Sequence, residues 1–228
     1  MAHKLAVFDI DGTLIRLQPE GNDACFVRAI EEAFGVGGID IDWSVYRNPT
    51  DTGIFSELFR RKHGRVPGPA EIAGAKRRLL AGMKEWAAEG RSFAGMPGAR
   101  TVLQSLIDMG WAVAIATGNW GESGLFKLAS AGIWHDGVPY ASADDGESKE
   151  AVIACAVERA GHSAGGCRVV YVGDRPWDLK AARRLAAGFL GVSEGRMADE
   201  LKAAGAPGII SGFEDVHAVS RRLDEMAV

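Results

Sequence analysis

The chain has 228 residues, 47% of them hydrophobic, and a formal net charge of −4. That apolar content supports one large domain, or a core with a smaller insert, and the acidic balance lacks the basic footprint of a general nucleic-acid binder. No run of about 18 apolar residues is present to span a bilayer, and the start of the chain lacks the apolar stretch and small-residue cleavage site of a secretory signal, so a cytoplasmic protein is expected.

In chain order, residues 5–10 form a short apolar run that stops at Gly12 and predicts a buried strand. Residues 16–93 carry helical patterns only, over 24–34, 53–63 and 69–89, broken by the Gly-rich stretch 35–38 and by Pro67-Gly68-Pro69. Pro69 suits the first position of a helix. Gly95-Met96-Pro97-Gly98 is expected to be a hinge returning the chain to the sheet. Val102, Leu103, Leu106, Ile107 and Met109 stripe the next helix, and residues 111–116 form a strand stopping at Thr117-Gly118. Leu125, Leu128 and Ala129 suggest a helix, and Val152, Ile153, Ala156 and Val157 mark another over 148–160. Residues 168–172 form a strand stopping at Gly173-Asp174. Leu179, Ala182 and Leu185 stripe a helix, residues 188–192 form a strand, and a weaker strand lies near 207–210. Strands alternating with helices imply an α/β fold, a parallel sheet covered on both faces. The helical stretch 16–93 is an insert, and 1–15 with 94–228 form the core. Cys25, Cys155 and Cys167 are far apart, without metal-ligand spacing. Cys155 and Cys167 are expected as buried thiols in a reducing compartment.

In a parallel sheet the chemistry gathers where strand C-termini meet the following loops. Three strands here end in polar clusters: Asp9-Ile10-Asp11-Gly12-Thr13, Thr117-Gly118-Asn119 and Gly173-Asp174. Asp9 and Asp11 share one face if the strand stays extended. Carboxylates that close are expected to repel, one staying charged while the other holds a proton, which is the division of labour that ester cleavage needs. Gly12 lets the chain turn and approach a ligand closely. Asp174 and Asp178 are oxygen ligands of the kind a hard divalent cation prefers, although an acid in the first turn of a helix also serves the helix dipole. Thr117 and Gly118 offer a hydroxyl and a backbone N–H to phosphate oxygens, or form an ordinary strand-to-helix turn. Lys149 opens a helix, where the dipole disfavours a cation. That suggests another reason for it, against the general rule that lysines are solvated surface charges.

Together these features resemble the haloacid dehalogenase-like superfamily. The resemblance covers nearly the whole chain in the right order: a D-x-D-G-T strand, a helical insert, a strand ending in Thr-Gly, a lysine, and a strand ending in G-D-x-x-x-D. The insert resembles the helical cap of the phosphoglycolate phosphatase and phosphoglucomutase branch, and Thr50-Asp51-Thr52-Gly53-Ile54 is similar to that branch's T-D-x-x-I segment. The resemblance implies a Rossmann-like core with an inserted all-α cap. It implies a phosphatase in which Asp9 becomes an aspartyl-phosphate, Asp11 protonates the leaving alcohol, Thr117, Gly118 and Lys149 hold the phosphoryl group, and Mg²⁺ is held by Asp9, the Asp11 carbonyl, Asp174 and Asp178, the last directly or through water. The implied substrate is a small phosphorylated metabolite, of phosphoglycolate or sugar-phosphate type.

Arg175 departs from the Ser or Thr often found after Gly-Asp in that superfamily. It is expected as a solvated loop charge, with contact to substrate or to the acids as the other reading. A sugar-phosphate mutase keeps both acids and is the closest enzyme alternative. A non-catalytic protein that binds a phosphorylated ligand is the alternative outside enzymes. Arg16, Glu20, Asn22, Arg47, Thr50 and Asp51 are the candidates for substrate selection. Trp120 is expected in the core or at the surface, with a place in the wall of the site as the alternative.

Overall fold

A computed structural model describes residues 3–133, 136–162 and 167–227. Its centre is a six-stranded, all-parallel sheet: β1 (His3–Phe8), β2 (Ala112–Ala116), β3 (Tyr140–Ala141), β4 (Cys167–Gly173), β5 (Gly188–Val192) and β6 (Ile209–Ile210), in the order β3-β2-β1-β4-β5-β6. Strand β1 is central and pairs with both β2 and β4. Its apolar run is continuous because both faces are covered. Ala6 and Phe8 point into one apolar layer with Val113, Ile115, Val170 and Val172. Leu5 and Val7 point into the other with Ala114, Ala116 and Tyr171.

Helices α6 (Lys149–Arg159), α7 (Pro176–Arg184) and α8 (Gly195–Ala203) cover the second layer through Val152, Ile153, Leu179, Ala182 and Leu201. Helices α4 (Ala99–Asp108), α5 (Gly121–Ala131) and α9 (Val216–Met226) cover the first through Leu103, Leu106, Leu128 and Leu223. Between β1 and α4 lie α1 (Asp23–Phe34), a short 3-10 turn at Trp43–Val45, α2 (Asp51–His63) and α3 (Pro69–Ala88). This insert is all-helical, and its apolar residues Phe26, Ile30, Phe55, Phe59, Leu79 and Met83 join the first layer. The fold is therefore α/β and Rossmann-like, with a helical insert after the first strand.

Several expected features take a different form. The first strand ends at Phe8 instead of residue 10, because the Ile10 carbonyl accepts from the N–H groups of Thr13, Leu14 and Ile15 and closes a turn. Strand β3 is two residues long and carries no apolar run to announce it. Cys25 is buried, but Cys155 and Cys167 are half-buried instead of enclosed. The two strands of chain joining insert and sheet are tied to each other: Arg16 N–H donates to Ala94 O at 2.8 Å and Met96 N–H to Leu14 O at 2.9 Å. Gly98, at φ 74°, presses against the Phe213 backbone, where a Cβ would lie 2.3 Å from the carbonyl carbon.

Candidate active site

The register of the sheet sets the site. Phe8 lies level with Ile115 on β2 and with Val172 on β4. The residues that follow all three strands therefore emerge side by side at one sheet edge, at the point where the chain order reverses between β1 and β4. Asp9 is held there by its own N–H, which donates to Val172 O at 2.9 Å. Asp174 follows β4, and the first turn of α7 places Asp178 over Gly173, whose Cα hydrogens lie against the Asp178 side chain. Carboxylate oxygens of Asp9, Asp174 and Asp178 lie within 4.8 Å of one another, and all three residues are buried. Lys149, at the start of α6, reaches into this group: its Nζ is 2.5 Å from Asp9 Oδ2, 3.1 Å from Asp178 Oδ1 and 3.3 Å from the Tyr171 hydroxyl.

Burial, opposed by Lys149 and aided by the neighbouring Asp178, raises the Asp9 pKa to about 7. Asp174 is pushed well above the carboxylate range by burial and then by Asp178, with Arg175 opposing. Burial works against the Lys149 ammonium, but Asp178 and Asp9 outweigh it and hold its pKa well above the usual value. Three carboxylates thus face two cations, Lys149 and Arg175. Asp178 Oδ1 is fully buried and, although Lys149 Nζ lies 3.1 Å away, accepts no well-directed hydrogen bond among the described residues. Gly12, at φ 74°, brings the backbone so close that a Cβ would lie 2.0 Å from Asp174 Oδ2. An excess of buried carboxylate, an oxygen without a directed hydrogen bond and a backbone cradle fit a small hard cation.

Asp11 stands apart from that cluster. It follows the turn at Ile10, and Lys127 Nζ meets its Oδ2 at 2.6 Å. The expected coupling of Asp9 and Asp11 takes a different form: each acid has its own lysine, and the like charge acting most on Asp9 is Asp178. Thr117 is fully buried, and its hydroxyl oxygen accepts from the Asn119 side chain at 2.7 Å and the Asn119 N–H at 3.1 Å. The hydroxyl hydrogen remains for another acceptor. Gly118 carries no side chain where the insert crosses it, since a Cβ would lie 3.1 Å from Pro49 O and 3.4 Å from Lys149 Cε.

The insert closes over these groups and leaves a cavity of about 880 Å³ lined by Asp9, Asp11, Gly118, Lys149 and Asp174 from the sheet side. Among the candidates for substrate selection, Asn22, Thr50 and Asp51 line it, whereas Arg16, Glu20 and Arg47 are exposed elsewhere. Aromatic and apolar side chains that had no assigned role, Phe26, Trp43 and Trp177, form part of the wall. Thr50 caps α2 and its hydroxyl donates to Glu147 O at 2.6 Å. Asp51 Oδ2 accepts from Trp120 N–H at 2.8 Å. Burial raises the Asp51 pKa to about 7, with Lys127 and the Trp120 bond opposing and Asp11 and Asp144 adding to the rise.

Trp120 is a core residue, 1% exposed, packed on Phe26 and Phe55. Arg175 is not the solvated charge expected. Its Nε lies 3.0 Å from Asp174 Oδ2 and its guanidinium covers the Trp177 ring, with carbon and centroid 5.5 Å apart. Stacking on the indole positions the guanidinium beside Asp174.

Lys127 carries no sequence signal of its own in the polar strand ends, and Asn119 belongs to one of them without an assigned role. Leu125, Leu128 and Ala129 suggest the stripe of α5, but the buried face is Ser123, Gly124, Lys127, Leu128 and Ala131. Ala129 is exposed. Drawn on the correct face, a lysine interrupting an apolar stripe at helical spacing is the signal of a buried, paired cation.

The sequence model of the haloacid dehalogenase-like hydrolases matches residues 3–185. No curated protein matches the chain. Among solved structures, a hydrolase from Pseudomonas syringae is similar with a TM-score of 0.69 and 20% identity, over 99% of this chain and 100% of that one. A predicted phosphatase from Clostridium acetobutylicum is similar with a TM-score of 0.65 and 22% identity, over 97% and 100%. CbbY from Rhodobacter sphaeroides, in complex with phosphate, is similar with a TM-score of 0.65 and 18% identity, over 94% and 96%. At these identities the likeness is one of fold.

Proposed function

The chain belongs to the haloacid dehalogenase-like hydrolases, and on that premise we propose that it is a Mg²⁺-dependent phosphatase that hydrolyses a small phosphorylated metabolite through a phosphorylated Asp9. The observation that carries this reading is the group Asp9, Asp174 and Lys149, which lines one cavity with Gly118 and Asp11 and is backed by the fully buried Asp178. The core is assigned to residues 1–15 and 94–228 and the cap to 16–93.

In this mechanism an Asp9 carboxylate oxygen attacks phosphorus, and the bond from phosphorus to the ester oxygen breaks. The electron pair leaves with that oxygen, and Asp11 supplies its proton. A water molecule then attacks the aspartyl-phosphate, gives its proton to Asp11, and the phosphorus–Asp9 bond breaks to release inorganic phosphate. Splitting one displacement into two lowers each barrier. The Thr117 hydroxyl and Gly118 N–H hold phosphoryl oxygens, and Lys149 keeps positive charge beside Asp9 where negative charge accumulates. Asp9, the Asp11 carbonyl, Asp174 and Asp178 would hold Mg²⁺, which supplies charge neutralisation at the phosphoryl oxygens. Arg175 already occupies the outer edge of that acid group.

The test is phosphate release from a panel of small phosphorylated metabolites, with and without Mg²⁺, on the wild type and Asp9→Asn. Mg²⁺-dependent release by the wild type and none by a folded Asp9→Asn variant is expected. Full activity in Asp9→Asn rejects the mechanism. Isomerised sugar phosphate in place of free phosphate makes the protein a mutase, and bound ligand without turnover makes it a binding protein.

A further inference from the structure

Lys127 is 0% exposed. A buried ammonium is tolerated only when each of its protons has a partner, and here there are three. Nζ donates to Asp11 Oδ2 at 2.6 Å, to Asn119 Oδ1 at 2.6 Å and to Asn22 Oδ1. The two amides then turn back on the same acid. Asn119 Nδ2 donates to Asp11 Oδ2 at 2.8 Å, and Asn22 Nδ2 lies 3.5 Å from the same oxygen. One carboxylate oxygen of Asp11 thus takes every protein donor, while Oδ1 accepts no hydrogen bond among the described residues. The Asp11 side chain, 22% exposed, lines the cavity. The three partners come from three places: Asp11 from the loop after β1, Asn119 from the loop after β2, and Asn22 from the N-cap of α1 in the insert.

We propose that Lys127 is a positioning residue: it clamps Oδ2 of Asp11 so that Oδ1 faces the leaving oxygen of the substrate, and through Asn22 it makes that clamp complete only when the insert is seated. The proposal rests on the phosphatase reading above, in which Asp11 protonates the leaving alcohol. A proton donor delivers its benefit only in a fixed geometry, and misplacement by an ångström forfeits much of it. Asn119 carries the same order to the phosphoryl side, since it also holds Thr117 Oγ1 at 2.7 Å. Lys149 pairs with Asp9 and Asp178 instead.

The experiment compares Lys127→Met, Asn22→Ala and the wild type on two phosphate esters, p-nitrophenyl phosphate and a simple alkyl phosphate. The nitrophenolate leaves without a proton; the alkoxide does not. The quantity read is kcat/KM, which reports only steps up to departure of the alcohol and so leaves out the later water attack. Lys127→Met is expected to lose about 10²-fold or more on the alkyl ester, the scale of general-acid catalysis, and under about tenfold on the aryl ester. Asn22→Ala is expected to shift the same ratio in the same direction by roughly threefold to tenfold, a fraction of that effect. Equal losses on both esters, or no loss on either, overturn the proposal. Asn22 sits at a half-buried helix start, so it carries the test if Lys127→Met does not fold; an unchanged ratio in Asn22→Ala then overturns it. A wild type that cleaves neither ester, nor any metabolite in the panel, overturns the phosphatase reading itself and is told apart by that result.

Discussion

Gly12 illustrates how little freedom the site leaves a single residue. Its backbone is in the left-handed region at φ 74°, and its missing Cβ is the space in which Asp174 Oδ2 sits. An alanine there meets both a backbone penalty and a buried carboxylate that must shift to admit its Cβ. Gly12→Ala is expected to destabilise the fold by roughly 1–3 kcal/mol and to weaken Mg²⁺ binding by displacing Asp174. Thermal unfolding with and without Mg²⁺ reads both effects. Lys149 and Arg175 illustrate the complementary point, that each cation of the site is fixed by a second contact. Lys149 lies 3.3 Å from the Tyr171 hydroxyl, and Arg175 stacks on Trp177.

At the scale of elements, the N-terminus of α2 is where the insert meets the sheet side. Thr50 accepts from Gly53 N–H as the N-cap and donates to Glu147 O, while Thr52 Oγ1 donates to Ala143 O at 2.6 Å. Asp51 N–H donates to Gly118 O at 2.7 Å. Thr50→Val removes cap and bridge together and is expected to cost about 1–2 kcal/mol, the range of a lost N-cap, measured by chemical denaturation. Asp51 adds a pH dependence. Its folded pKa, about 7, stands above the ordinary 3.8, so between those values the folded state binds more protons than the unfolded state. Its contribution to stability is present at low pH and is lost as pH rises through that window. Asn at this position keeps the Trp120 N–H acceptor without the charge. The melting temperature of Asp51→Asn relative to wild type is therefore expected to rise between about pH 4 and pH 8. A flat difference across that range contradicts the assignment.

For the whole molecule, the sheet edge gathers more negative charge than its own cations balance. Asp9, Asp174 and Asp178 converge from the loop after β1 and from the β4–α7 connection, and among the described residues only Lys149 and Arg175 form ion pairs with them. A ligand that binds the folded state alone stabilises it by mass action. Mg²⁺ at a hundred times its dissociation constant is expected to add about 2.7 kcal/mol, and the increment is expected to shrink in Asp174→Asn. Calorimetry in both proteins checks this without reference to activity.

Much of this was legible in the chain. The apolar runs of β1, β2, β4 and β5 announced a parallel sheet, because strands covered on both faces carry no polar alternation. The polar residues after three of them marked the edge where the site lies. Spacing within one strand end or one helix turn is local, so Asp9, Asp174 and Asp178 could be named without coordinates. Tertiary structure alone decided the partners. Lys127 is 116 residues from Asp11, and only the packing of α5 under the insert turns a helix lysine into a buried cation. Tertiary structure also puts Arg175 on Asp174, gives Asp9 and Asp11 separate lysines, and places Asn22, Thr50 and Asp51, but not Arg16, Glu20 and Arg47, in the cavity wall. A sequence carries the types of charge in a site, but their mutual distances, which set which charge answers which, exist only after the chain has folded.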